Sequence, residues 1–145
     1  MVTGFQITSA AVSDRGLSEK RPQNEDAFLS IPQKGIFAVA DGVGGAQAGE
    51  VASQMAMEIL GEAFVNVDER IDAEDIMEAA LRQANSAIHQ MSTELPQLSQ
   101  MATTVVALHI AGNIATIGHA GDSRLYRLDS DGNLYRETAD HSMVA

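Results

Sequence analysis

Two short strands around a turn, two amphipathic helices in succession and a closing run of strands separated by turn residues predict an α+β domain. Strands joined by tight turns pair antiparallel, so hairpins and a meander are expected rather than alternating βαβ units. No low-complexity linker or internal repeat divides the 145 residues, and one domain spanning 1–145 is the expected organisation.

Residues 5–12 alternate loosely like a strand, and Ser13-Asp14-Arg15-Gly16 breaks it with turn residues. Residues 27–31 and 35–40 follow as two apolar strands around Pro32-Gln33-Lys34-Gly35, the pattern of a hairpin. Beyond them Ala48, Val51, Ala52, Met55, Ala56, Ile59, Leu60 and Ala63 recur at three- and four-residue spacing, which predicts a helix with one buried face. A second helix is marked by Asp72 as N-cap, by Ile71 and Ile76 as a hydrophobic staple, and by the stripe Met77, Ala80, Leu81, Ala84, Ile88 and Met91, with Pro96 as its stop. From Ala102 the period becomes that of strands: residues 103–110, a turn at Ala111-Gly112-Asn113, residues 114–117, an interruption at Gly121-Asp122, then residues 123–128 and 134–137. The acidic turn Asp129-Ser130-Asp131-Gly132-Asn133 reads as a hairpin turn. A calcium loop would need glycine where Leu134 stands.

Composition restricts the chemistry. The chain is 45% hydrophobic without a long uncharged apolar run, which describes a soluble globular domain. Nine Lys and Arg against 20 Asp and Glu give a net charge of −11, which disfavours nucleic acid and acidic membrane surfaces as partners. With no cysteine, thiolate catalysis, Cys-ligated zinc and iron–sulfur clusters are excluded. Met1-Val2-Thr3-Gly4 lacks the basic and apolar segments of a signal peptide, so a cytoplasmic location is expected.

The densest chemical signal is the strand ending in Asp41 and followed by Gly42, Gly44 and Gly45. A strand delivers one carboxylate at a rigid edge, and the glycines admit positive φ and close approach of a ligand to backbone groups, which suits a metal or phosphate.

Three segments, Arg21-Pro22-Gln23-Asn24-Glu25-Asp26, Asp41-Gly42-Val43-Gly44-Gly45 and Gly121-Asp122-Ser123-Arg124, form a constellation. In this order, with the helix pair between the second and third, the chain resembles the metal-dependent protein serine/threonine phosphatases, the PPM or type 2C family, in its bacterial form. Ser13-Asp14-Arg15-Gly16, Ala102-Thr103-Thr104 and Asp140-His141-Ser142 extend the resemblance over nearly the whole chain. It implies the N-terminal part of a β-sandwich of two antiparallel sheets flanked by helix pairs, incomplete at its C-terminus.

The resemblance also implies the site. Asp41 bridges two divalent cations, Mn²⁺ or Mg²⁺; the Gly42 carbonyl and Glu25 reach one of them, Asp26 ligates metal or holds its waters, and Asp122 helps hold a third ion. Arg21 binds the substrate phosphate, a role its planar fork suits. The general acid stays unassigned, because Val43 stands where many eukaryotic relatives carry histidine, and His119 is the nearest candidate. The implied activity is hydrolysis of phosphoserine and phosphothreonine in proteins; the alternative is a degenerate, non-catalytic binding or regulatory module. In complete family domains later strands supply two further aspartates. For this chain alone the resemblance therefore implies weak metal binding, little turnover, and self-association or completion by a C-terminal segment.

Overall fold

The computed structural model describes residues 6–14, 24–45, 48–66, 68 and 70–141. Strands β1 (Asp26–Ile31) and β2 (Ile36–Val43) form the expected hairpin around a single 3-10 turn at Pro32–Lys34, with Ile31 paired to Ile36 and Asp26 to Asp41. Helices α1 (Ala48–Val65) and α2 (Ala73–Glu94) follow, then β3 (Ala102–Thr103), β4 (Val105–Ala111), β5 (Ile114–Ala120), β6 (Tyr126–Leu128) and β7 (Leu134–Arg136). The chain returns from α2 to lay β4 against the free side of β2, giving a five-stranded antiparallel sheet of order β1-β2-β4-β5 with β3 continuing beside the end of β2. Strands β6 and β7 make a separate two-stranded sheet.

The alternation of β2 decides which face does what. Ile36, Ala38, Ala40 and Gly42 are buried beneath the helices, whereas Phe37, Val39, Asp41 and Val43 point to the other face. The core lies on the helical side, where Ile36, Leu60 and Phe64 are fully buried with Met57, Met77 and Ala107 around them. On the opposite face Phe28 and Val39 remain 48% exposed and Val43 44%.

Both helices follow their stripes. Asp72 caps α2 by accepting the Glu74 N–H at 2.9 Å. The helix ends at Glu94 because Leu95, preceding Pro96, is extended at φ −117°, ψ 112°. Residues 6–14 depart from expectation: they contain no strand, and Ser9 meets Ser30 of the edge strand β1 hydroxyl to hydroxyl at 2.9 Å while Ser13 accepts from Asn24 Nδ2 at 2.7 Å. Loose alternation does not by itself hold a strand, even beside a sheet edge. The predicted meander also divides, since residues 121–125 leave the sheet before β6 begins. The acidic turn is a hairpin turn as expected: Asp129 Oδ1 accepts from the backbone N–H of Asp131 and Asn133, both at 2.9 Å, and this keeps its carboxyl below the usual range.

His109 on β4 stacks on Phe64, ring centroids 4.7 Å apart, and burial lowers its pKa against a smaller opposing hydrogen bond to the Lys34 backbone. The fold therefore favours neutral imidazole. Its contribution is complete above the unfolded pKa of about 6.5 and is lost as pH falls through the lowered folded value. The expected result is a melting temperature that drops between pH 7 and pH 5 more in the wild type than in His109→Leu; parallel curves would contradict it.

Candidate metal and phosphate site

Asp41 sits at the end of β2 on the face away from the helices, and its direct antiparallel partner is Asp26 at the start of β1. Such partners hold their Cβ atoms about 4.5–5.5 Å apart, so the sheet itself brings two carboxylates together. Asp41 Oδ1 is screened from solvent. Like charges at this spacing destabilise a sheet unless a cation offsets them.

Glu25 is held to the next residue of β2. Gly42 N–H donates to the Glu25 carbonyl at 3.2 Å, and the fully buried Ser53 hydroxyl on α1 donates to the same oxygen at 2.7 Å. The direction a Gly42 Cβ would take is filled by the Gly49 carbonyl oxygen and by Glu25 O, the latter 2.6 Å away. A Cβ on Gly49 would lie 2.5 Å from Glu25 Oε2 and 2.8 Å from Val43 N. Two glycines thus let the first turn of α1 rest on the end of β2 and leave room there for the Glu25 carboxylate, which the N-terminal end of the helix dipole favours. Among the glycines expected to need positive φ, Gly44 at 137° and Gly45 at 63° do. Gly42 serves close approach instead.

The third segment reaches Asp41 through Thr104. The β2 register runs unchanged from β4 into β3, which sets Thr104 opposite Asp41; Thr104 N–H donates to the Asp41 carbonyl at 2.9 Å, and Asp41 N–H donates to Thr104 Oγ1 at 3.1 Å. Thr104 Oγ1 is also hydrogen-bonded to Ser123 Oγ. Asp122 is exposed beside this junction. Arg124 grips Asp140 with both arms of its fork, at 3.0 and 2.7 Å, which raises the Arg124 pKa and holds the Asp140 carboxyl below its usual range. Gly121 N–H donates to His141 Nδ1 at 3.2 Å, and His141 N–H donates to the Gly121 carbonyl at 3.0 Å. His119 stacks on His141 with centroids 4.5 Å apart, and its Nε2 lies 3.0 Å from the Ala139 carbonyl.

The structure therefore brings the backbones of Asp41, Asp26, Gly42 and Glu25 to one end of the sheet and ties the Asp122 segment to them. Arg21, with Arg15, Gly16 and Ser142, lies outside the described residues. Among the described residues no three His, Asp or Glu side chains are grouped closely enough to hold a metal ion. Paired carboxylates beside a backbone carbonyl are hard oxygen donors and fit part of a Mn²⁺ or Mg²⁺ shell. Sequence reasoning missed Gly49 and Ser53, and carried Ser123 only as part of the Gly121–Arg124 motif without a role. The small-residue run into α1 hints at Gly49, and nothing local marks Ser53.

The family model of protein phosphatase 2C matches residues 17–143. The serine/threonine protein phosphatase PstP of Mycobacterium tuberculosis is 41% identical over 138 residues, covering 93% of this chain and 25% of that protein. The serine/threonine phosphatase stp of Listeria innocua is 36% identical, covering 91% and 54% respectively. Among solved structures, the PstP catalytic domain in complex with 2 manganese ions superimposes with a TM-score of 0.83 at 40% identity, over 92% of this chain and 56% of that one. The chain thus spans between a quarter and about half of the relatives it matches.

Proposed function

The chain belongs to the protein phosphatase 2C family, and from that membership we propose that it contributes the metal-nucleating half of a site hydrolysing phosphoserine and phosphothreonine in proteins. The observation that carries this reading is the pairing of Asp26 with Asp41 one residue from the Gly42–Glu25 clasp. Divalent ions held there supply positive charge for the phosphoryl oxygens and lower the pKa of an attacking water. Asp41 would bridge the ions, the Gly42 carbonyl and Glu25 would reach one of them, Asp26 would ligate or hold water, and Asp122 would face a third. Arg21 would orient the phosphate. Thr104, Gly49 and Ser53 keep the backbone carrying these donors in register.

The second reading is a non-catalytic module, favoured by the absence of a three-residue ligand group among the described residues. A partial ligand shell gives the 145-residue chain weak Mn²⁺ binding and slow turnover, and the sheet face that exposes Phe28, Val39 and Val43 gives it self-association. The chain is read as cytoplasmic, and no described helix is long and apolar enough to cross a membrane. Calorimetric Mn²⁺ titration, light scattering and phosphate release from a phosphothreonine peptide test this. Slow release abolished by a chelator is expected. No metal binding at millimolar Mn²⁺ would favour the non-catalytic module, and a monomer turning over at enzyme rates, about 1–1000 per second, would show a complete shell within these residues.

A further inference from the structure

The ladder at Asp41 has one irregular rung. In a regular antiparallel pair the Asp41 N–H would meet the Thr104 carbonyl, but it donates to the Thr104 hydroxyl, while the Thr103 hydroxyl donates to that carbonyl at 2.8 Å. A side chain has replaced the backbone acceptor at the one residue of β2 that carries the bridging carboxylate. That hydroxyl is itself held by Ser123, at the head of the segment containing Asp122. The loop is pressed onto the same threonine, since a Cβ on Gly121 would lie 2.7 Å from Thr104 Cγ2. Main-chain rungs are insensitive to side-chain identity; this one is not.

We propose that Thr104 and Ser123 are positioning residues that set the Asp41 backbone, and with it the Gly42 carbonyl, according to the placement of the Gly121–Asp122 loop. The hydroxyl pair joins the segment assigned to a third ion to the residue assigned to bridge the first two, so occupancy at Asp122 and affinity at Asp41 are coupled through it. This rests on the metal-site reading above for its functional meaning, though not for its geometry.

The test uses the 145-residue chain with Thr104→Val, Thr104→Ser and Ser123→Ala, followed by amide hydrogen exchange at Asp41 and by Mn²⁺ titration. Valine keeps the shape and removes the hydroxyl. Thr104→Val is expected to speed Asp41 exchange by about tenfold or more and to weaken Mn²⁺ binding by about 10–100-fold, the range of outer-shell losses. Thr104→Ser should restore both, and Ser123→Ala should move both in the same direction by less. Ser123→Ala decides the matter if Thr104→Val does not fold. Unchanged Asp41 exchange in Ser123→Ala would overturn the proposal. If the wild type binds no Mn²⁺, the metal-site reading fails, and the exchange data still decide whether the hydroxyl pair sets Asp41.

Discussion

Asp41→Asn should lose Mn²⁺ binding by more than about 100-fold, beyond the range of outer-shell losses, and any metal-dependent phosphate release with it, while the fold stays about as stable as before. The two halves of this result have separate causes. Asn keeps the shape of the side chain, and the backbone bonds of Asp41 to Thr104 do not involve the carboxylate. What disappears is one of two like charges held as direct antiparallel partners with Asp26, in a chain whose net charge is −11. Urea denaturation and Mn²⁺ titration on the same preparation check both halves. Undiminished Mn²⁺ affinity in the Asn variant would remove Asp41 from the site, and a large loss of stability would mean that its role is structural.

Gly42→Ala should be the more damaging change to the fold. The added methyl has to displace the Gly49 carbonyl at the first turn of α1 or the Glu25 carbonyl at the head of β1, and both are backbone that cannot swing aside. Overpacking of this kind costs about 1–3 kcal/mol, and more where only backbone can give way. Because Gly42 N–H also bonds Glu25, the shift that relieves the clash separates the donors proposed to share an ion. A fall in the urea midpoint together with lost Mn²⁺ binding is expected. A variant with the wild-type midpoint would show that α1 does not rest on β2 as described.

Much of this molecule was legible in its residues because local patterns carry their own physics. The α1 and α2 stripes, the Asp72 cap, the stop before Pro96 and the hairpin around Pro32–Lys34 each depend on neighbours within a few positions. The phosphatase motifs were legible for a different reason: each is a short run whose chemistry needs its neighbours in sequence. The strand expected over residues 5–12 is absent from its described part, residues 6–12, where an alternating pattern was not enough without a paired ladder.

The residues themselves carry the α+β class, the helix faces, the absence of cysteine chemistry and the acidic residues proposed as hard donors. It takes the packed fold to show that β4 returns beside β2 to make it central, that Asp26 lies opposite Asp41, that Gly42 answers to Gly49 rather than to φ, and that Thr104 ties the Ser123 segment to Asp41. Each of these is a contact between residues distant along the chain. Periodicity reports which face a residue occupies, and only the packed sheet reports which residue stands across from it.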